Sequence, residues 1–308
     1  MTQTSKPTAG ALPRVDVYAR VTEKIVADLE AGVRPWARPW NAGHAAGPVS
    51  RPLRANGTPY RGINVLLLWV EAQAKNYTAP IWMTYKQAQA IGAQVRKGET
   101  GALVVFADRL TKTETNDKGE EAERQIAFMK GYTVFNVEQI DGLPAHYTAG
   151  AVMPIAALPR LEAAEAFFAA TGADIRHGGN RAFYAPGLDR VQMPTRDSFR
   201  DAESYAATLA HELTHWTSHA TRLDRSLGKR FGDAAYAAEE LLAEMGAAFL
   251  CADLGIASEP RDDHAGYLAS WLKVLTADSR AIFTAATQAQ RAADYLHSLQ
   301  PQATPEVE

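Results

Sequence analysis

Residues 209–219, "LAHELTHWTSH", constrain this chain more than any other stretch. If they are helical, His211 and His215 stand one above the other on one face, and both imidazoles can reach a single ion. A helix alone cannot finish the coordination. Zinc takes N and O donors at about 2.0–2.2 Å, and a catalytic site adds a third protein ligand while leaving a position for water. The fold must therefore lay a second element against this helix. Glu212 sits beside the same face and can take a proton from water held on the ion. His219 lies roughly 12 Å along the axis from His211 at about 1.5 Å per residue. It is out of reach and is read as a helix-end group. The extended pattern with a glycine and a third histidine is excluded, since Ser218 and Thr221 occupy those positions.

The third donor is expected from residues 236–252, "YAAEELLAEMGAAFLCA", an amphipathic helix with Leu241, Met245, Ala248 and Phe249 on its apolar side. Glu239, Glu240 and Glu244 are unusual so close to a core-facing stripe. Glu240 and Glu244 are four apart, so one can bind the ion while the other orients a ligand imidazole. Glu240 is taken as the ligand and Glu244 as the orienting group, with the reverse order left open. Tyr236, His264 and Tyr267 are candidates for donating to an oxyanion. Zinc is the expected metal; manganese, iron or cobalt can substitute, because two imidazoles and a carboxylate select weakly among them.

The rest of the chain divides in two. Residues 17, 21, 25 and 29 are apolar, giving a helix over 15–31 stopped by Gly32. A proline- and glycine-rich stretch follows, then helices over 64–76 and 84–95. Strands are expected over 101–110 and 127–137, joined by a polar hairpin tip at 111–125. Residues 146–158, rich in Ala and Pro, read as a linker between a unit at 15–145 and one at 159–300. The second unit starts with a helix at 161–171 and two short strands within 181–194. It continues with helices near 201–219, 234–254, 264–277 and 279–299. The fold class is α+β, and residues 1–14 and 301–308 read as tails. A single cysteine excludes an intrachain disulfide and fits a cytoplasmic home. No apolar run reaches the roughly 18 residues of a membrane span.

The net charge of −3 hides an asymmetry. Residues 1–150 carry 18 Lys and Arg against 14 Asp and Glu, and no acidic residue falls between positions 30 and 71. In that basic region Arg34, Trp36, Arg38, Trp40, Arg51, Arg54, Tyr60, Arg61 and Trp69 interleave rings with guanidiniums. Such a mixture holds single-stranded nucleic acid through stacking and phosphate contact. Lys86, Arg96 and Lys97 extend the track.

The motifs "RPWARPW", "YRGINVLLL", "PIWMTYKQAQAIGAQVRKGE" and "VFNVEQ" stand in the first unit. The second holds "YAATLAHELTHWTSHATRL", "FGDAAYAAEELLAEMGAAFLCADLGI" and "HAGYLASWLKVL". Over nearly its whole length the chain resembles the ArdC-type antirestriction proteins of conjugative plasmids and the N-terminal part of some plasmid primases. That resemblance implies an N-terminal domain binding single-stranded DNA and a mainly helical, zincin-like domain of gluzincin type with a small sheet. It also implies protection of incoming plasmid DNA from host restriction, with an unknown protein substrate for which the host restriction system is the candidate source. A competing expectation is a strand-coating protein or adaptor whose metal site is structural.

Overall fold

The computed structural model describes residues 16–36, 50–115, 121–148, 157–225, 234–256 and 267–301. Arg38, Trp40 and His264 lie outside the described residues, as do the 116–120 part of the hairpin tip, most of the expected linker and nearly all of both expected tails. Among the described residues no helix is long and apolar enough to cross a membrane.

The four-residue apolar spacing near the start forms α1 (Val17–Glu30), burying Val21, Ile25 and Leu29. Asp16 caps it by accepting from the Tyr18 N–H, and Gly32 at φ +79° lets the chain leave. Strand β1 (Leu53–Arg54) precedes α2 (Ile63–Lys75), and β2 (Ile81–Met83) precedes α3 (Tyr85–Ala90). The helix expected over 84–95 is shorter than that. Gly92 at φ +77° ends it, and residues 94–95 form β3 (Gln94–Val95) instead.

Strands β4 (Ala102–Thr115) and β5 (Glu121–Asn136) pair antiparallel from Ala102 opposite Val134 to Thr115 opposite Glu121. The hairpin arms thus run well into the stretch expected to be a loose polar tip. Thr111, Thr113 and Thr115 are β-branched at every second position, a strand signal obscured by the charges between them. The sheet order is β1-β2-β5-β4, and β6 (Ile140–Asp141) pairs with β3 in a separate two-stranded sheet. Between β5 and β6, Asn136 and Gln139 cap each other's backbone, which gives the "VFNVEQ" motif a structural reason.

After α4 (Ala145–Thr148) and α5 (Ala157–Ala170), a three-stranded sheet forms from β7 (Asp174–His177), β8 (Phe183–Ala185) and β9 (Arg190–Met193) in the order β7-β9-β8. The two strands expected near 181–194 are β8 and β9; the parallel partner β7 is an addition. Then come α6 (Ala202–Trp216), α7 (Ala234–Leu254), α8 (Leu268–Ala277) and α9 (Ala281–Ser298). Helix α7 packs between α6 and α9, and the small sheet lies against α6.

One hydrophobic core runs through both parts of the chain. It joins Val21, Ile25, Trp36, Leu66 and Trp69 to Phe249, Trp271, Ile282 and Ala286. A smaller cluster around Met83, Val95 and Ile140 serves the first part alone. The shared core is crossed by a polar junction. Arg51, only 6% exposed, donates from Nε and Nη2 to the two carboxylate oxygens of Asp253, each at 2.8 Å. Its Nη1 donates to Gln290 Oε1 at 2.8 Å, and the guanidinium lies 4.5 Å from the centre of the Phe249 ring.

Candidate metal centre

Helix α6 starts at Asp201, whose side chain accepts from the Ser204 N–H at 2.7 Å, and buries its whole second half. Helix α7 approaches it closely at Gly246. A methyl group added there would stand 2.5 Å from Thr214 Cγ2, so only glycine permits this contact. The close crossing brings the carboxylates of α7 onto the histidine face of α6.

Three ligand atoms converge, from His211, His215 and Glu240, all within 4.8 Å of one another. The two Nε2 atoms are 3.1 Å apart. Glu240 Oε2 is 3.6 Å from His211 Nε2, and Oε1 is 3.5 Å from His215 Nε2. Four donors at about 2.1 Å around one ion in a tetrahedron are separated by about 3.4 Å. The donor set therefore fits a divalent cation in both chemistry and spacing.

The other ring nitrogens face carboxylates. His215 Nδ1 lies 3.4 Å from Glu239 Oε1. His211 Nδ1 lies 3.1 Å from Glu244 Oε1. Glu239 is held in turn by Arg225, whose Nη2 donates to Oε1 at 2.9 Å and to the Thr214 carbonyl at 2.8 Å. Arg225 Nη1 also donates to Thr217 Oγ1 at 2.8 Å. Asp224 at φ +48° turns the chain so that Arg225 folds back under α6. Neither Glu239, as an orienting group, nor Arg225 was legible as functional; the first was masked by its neighbour Glu240.

The electrostatics favour positive charge at the centre. Burial opposes protonation of His215, but the Glu239 and Glu240 carboxylates outweigh it and raise its pKa to about 10. Burial would raise Glu240, yet the two imidazoles hold it well below the usual carboxylate range. Glu212 is buried, with 3% exposure. The Tyr236 hydroxyl lies 3.3 Å from that of Tyr267, and its pKa is raised by burial, by that contact and by Glu240. His219 lies past the end of α6, bonded to Thr221 Oγ1 at 2.8 Å.

The basic track does not survive intact. Trp36 is 2% exposed and packs edge-on against Trp271 at 5.4 Å, and Tyr60 is 7% exposed. With Arg51 engaged by Asp253, these three are spent inside the molecule and offer nothing to a nucleic acid. Trp69 is likewise buried, donating to the Ser50 carbonyl. Arg34 is half-buried; Arg54, Arg61, Lys86, Arg96 and Lys97 are exposed. Of these, Arg61 pairs with Asp294, and Arg96 with Glu99 and Asp141.

Comparison with known proteins divides the chain in the same order. Residues 15–135 match the family model for the N-terminal domain of anti-restriction factor ArdC, and residues 162–288 match the zincin-like metallopeptidase model. Protein y4eC of Sinorhizobium fredii is 47% identical over 293 residues, 94% of either chain. The DNA primase TraC of Escherichia coli is 40% identical over 301 residues, 91% of this chain but 27% of that protein. The crystal structure of antirestriction protein ArdC from plasmid R388, metal-free, superposes with a TM-score of 0.78 at 47% identity, covering 92% of this chain and 97% of that one. Its Mn(II)-bound form gives 0.73 at 48% identity, covering 92% and 98%. The zincin-like domain and the Mn(II)-bound relative point to a divalent metal, and His211, His215 and Glu240 are the residues that can bind it.

Proposed function

We propose, from the premise that this chain belongs to the ArdC antirestriction family, that it binds single-stranded DNA without sequence preference and carries a metal-dependent peptidase centre. In this proposal residues 15–145 supply the strand-binding surface and residues 159–300 the peptidase. The protein works in the cytoplasm, where it protects incoming plasmid DNA from restriction during conjugation.

One observation carries the peptidase part: two imidazoles present Nε2 to a shared point with Glu240, while each Nδ1 faces another carboxylate. A buried cluster with outward nitrogens tied down in this way is a ligand set, with orienting groups already in place. His211, His215 and Glu240 would hold the metal, zinc or another divalent ion. The bound cation supplies Lewis acidity, which polarises an acyl group and makes water nucleophilic near neutral pH. Glu212, next to His211 on α6, accepts the proton from water at its carboxylate and returns it to the leaving amine. Tyr236, kept protonated by burial and by its acidic neighbour, donates a hydrogen bond to the developing oxyanion. Tyr267 steadies the Tyr236 hydroxyl. The substrate is a protein, for which the host restriction machinery is the first source to search.

Glu212→Gln tests this assignment. The variant should keep metal content and single-strand binding while losing cleavage of a responsive substrate by about a hundredfold or more. Antirestriction that persists fully in Glu212→Gln would instead favour a strand-coating protein with a structural metal.

A further inference from the structure

Two large rings outside the track read from the sequence stand on the surface of the hairpin. Phe106 on β4 is 49% exposed and Tyr132 on β5 is 40% exposed. Their ring centres are 6.4 Å apart with planes at 78°, and Lys130 Nζ lies 5.3 Å from the centre of the Tyr132 ring. The ladder explains the grouping. Phe106 stands opposite Lys130 and Val104 opposite Tyr132, so these positions share one face. At its base this face is buried, through Val104 and Val134; from Phe106 outward it opens to solvent. Further along the ladder Lys112 stands opposite Arg124. Asp108 is exposed at the next position of the same face.

We propose that this hairpin face is the platform on which single-stranded DNA lies. Bases stack on Phe106 and Tyr132, and the Lys130 ammonium beside the Tyr132 ring meets a phosphate. The inference rests on the single-strand function proposed above and gives it a location. Rings set beside an ammonium match the repeat of base and phosphate along a strand, and stacking tolerates any sequence. The carboxylate of Asp108 repels phosphate and keeps the backbone on the Lys130 side.

The test uses the full-length protein and a fluorescently labelled oligodeoxythymidine, with anisotropy measured over a range of salt. Phe106→Leu with Tyr132→Leu keeps apolar bulk but removes the stacking faces. It should weaken binding about tenfold or more and leave the salt dependence unchanged. Lys130→Gln should make the slope of log affinity against log salt shallower by about 0.7. Photocrosslinking of the unmodified protein to an oligonucleotide containing 5-bromodeoxyuridine avoids any question of folding, and the adducts should map within residues 102–136. If the unmodified protein binds but the leucine variant binds within twofold of it, or the adducts map elsewhere, the platform is overturned and the single-strand function stands. If the unmodified protein does not bind the oligonucleotide at all, that function falls with it.

Discussion

Arg225 shows how much of the centre depends on a side chain that touches no proposed ligand. It is nearly buried, and its donors are divided among Glu239, Thr217 and the Thr214 carbonyl. Glu239 is thereby fixed where it meets His215 Nδ1, which leaves Nε2 to face the cation. Arg225→Met should therefore lower the affinity for Zn(II) or Mn(II), read by titration calorimetry, by about 10- to 100-fold with the helical circular dichroism retained. Equal affinity in the variant would mean that Glu239 orients His215 unaided. The i,i+4 spacing of the histidines, and of Glu240 with Glu244, could be read from the sequence because helical geometry links spacing to a shared face. Arg225 could not. Its contact depends on a left-handed turn at Asp224 that no periodicity announces. Glu239 was hidden for a related reason: adjacent residues on a helix point about 100° apart, so only one of the pair could be assigned to the metal.

Among the elements, the crossing of α6 and α7 decides whether the ligands meet. Gly246 lies inside a long helix, where glycine is disfavoured by about 1 kcal/mol relative to alanine. Gly246→Ala gains that propensity but drives a methyl group into Thr214. Overpacking of this kind costs about 1–3 kcal/mol. The expected net result is a protein with lower thermal stability and weaker metal binding; a variant more stable than the parent would show that the helices can slide apart freely. The helices themselves were legible, since their apolar spacing and capping residues lie within each segment. The hairpin was less so. Its threonines and charges read as loop, whereas pairing over residues 102–115 and 121–136 makes them strand. Likewise the turn at Gly92 divides what composition suggested was one helix.

For the molecule as a whole, Arg51 is the instructive residue. Sequence placed it on a basic surface, because an unopposed arginine in a region without acidic residues looks available to phosphate. Its partner Asp253 lies 202 positions away, a distance no local pattern encodes. Removing one member of a buried pair leaves the other uncompensated, so Arg51→Met should destabilise the fold by about 3 kcal/mol in chemical denaturation. Asp253 adds a dependence on pH. Burial would raise its carboxyl, but the His297 imidazole and the Arg51 guanidinium outweigh burial and lower it. A group depressed in the folded state contributes stability above its unfolded pKa of about 3.9, and that contribution is lost as pH falls through the folded value. Asp253→Asn should thus be less stable than the parent at neutral pH, with the gap closing below about pH 4; a constant gap down to pH 2 would place the stabilisation elsewhere. The two family segments, recognisable separately in sequence, are joined by a core that Trp36, Trp69, Phe249 and Trp271 build together. Neither half can be exchanged for a foreign counterpart without opening that core, because the graft would arrive with half a wall missing. The halves are heirs to a single estate, and a lineage that keeps the first of them must keep the second folded, whatever chemistry its buried histidines perform.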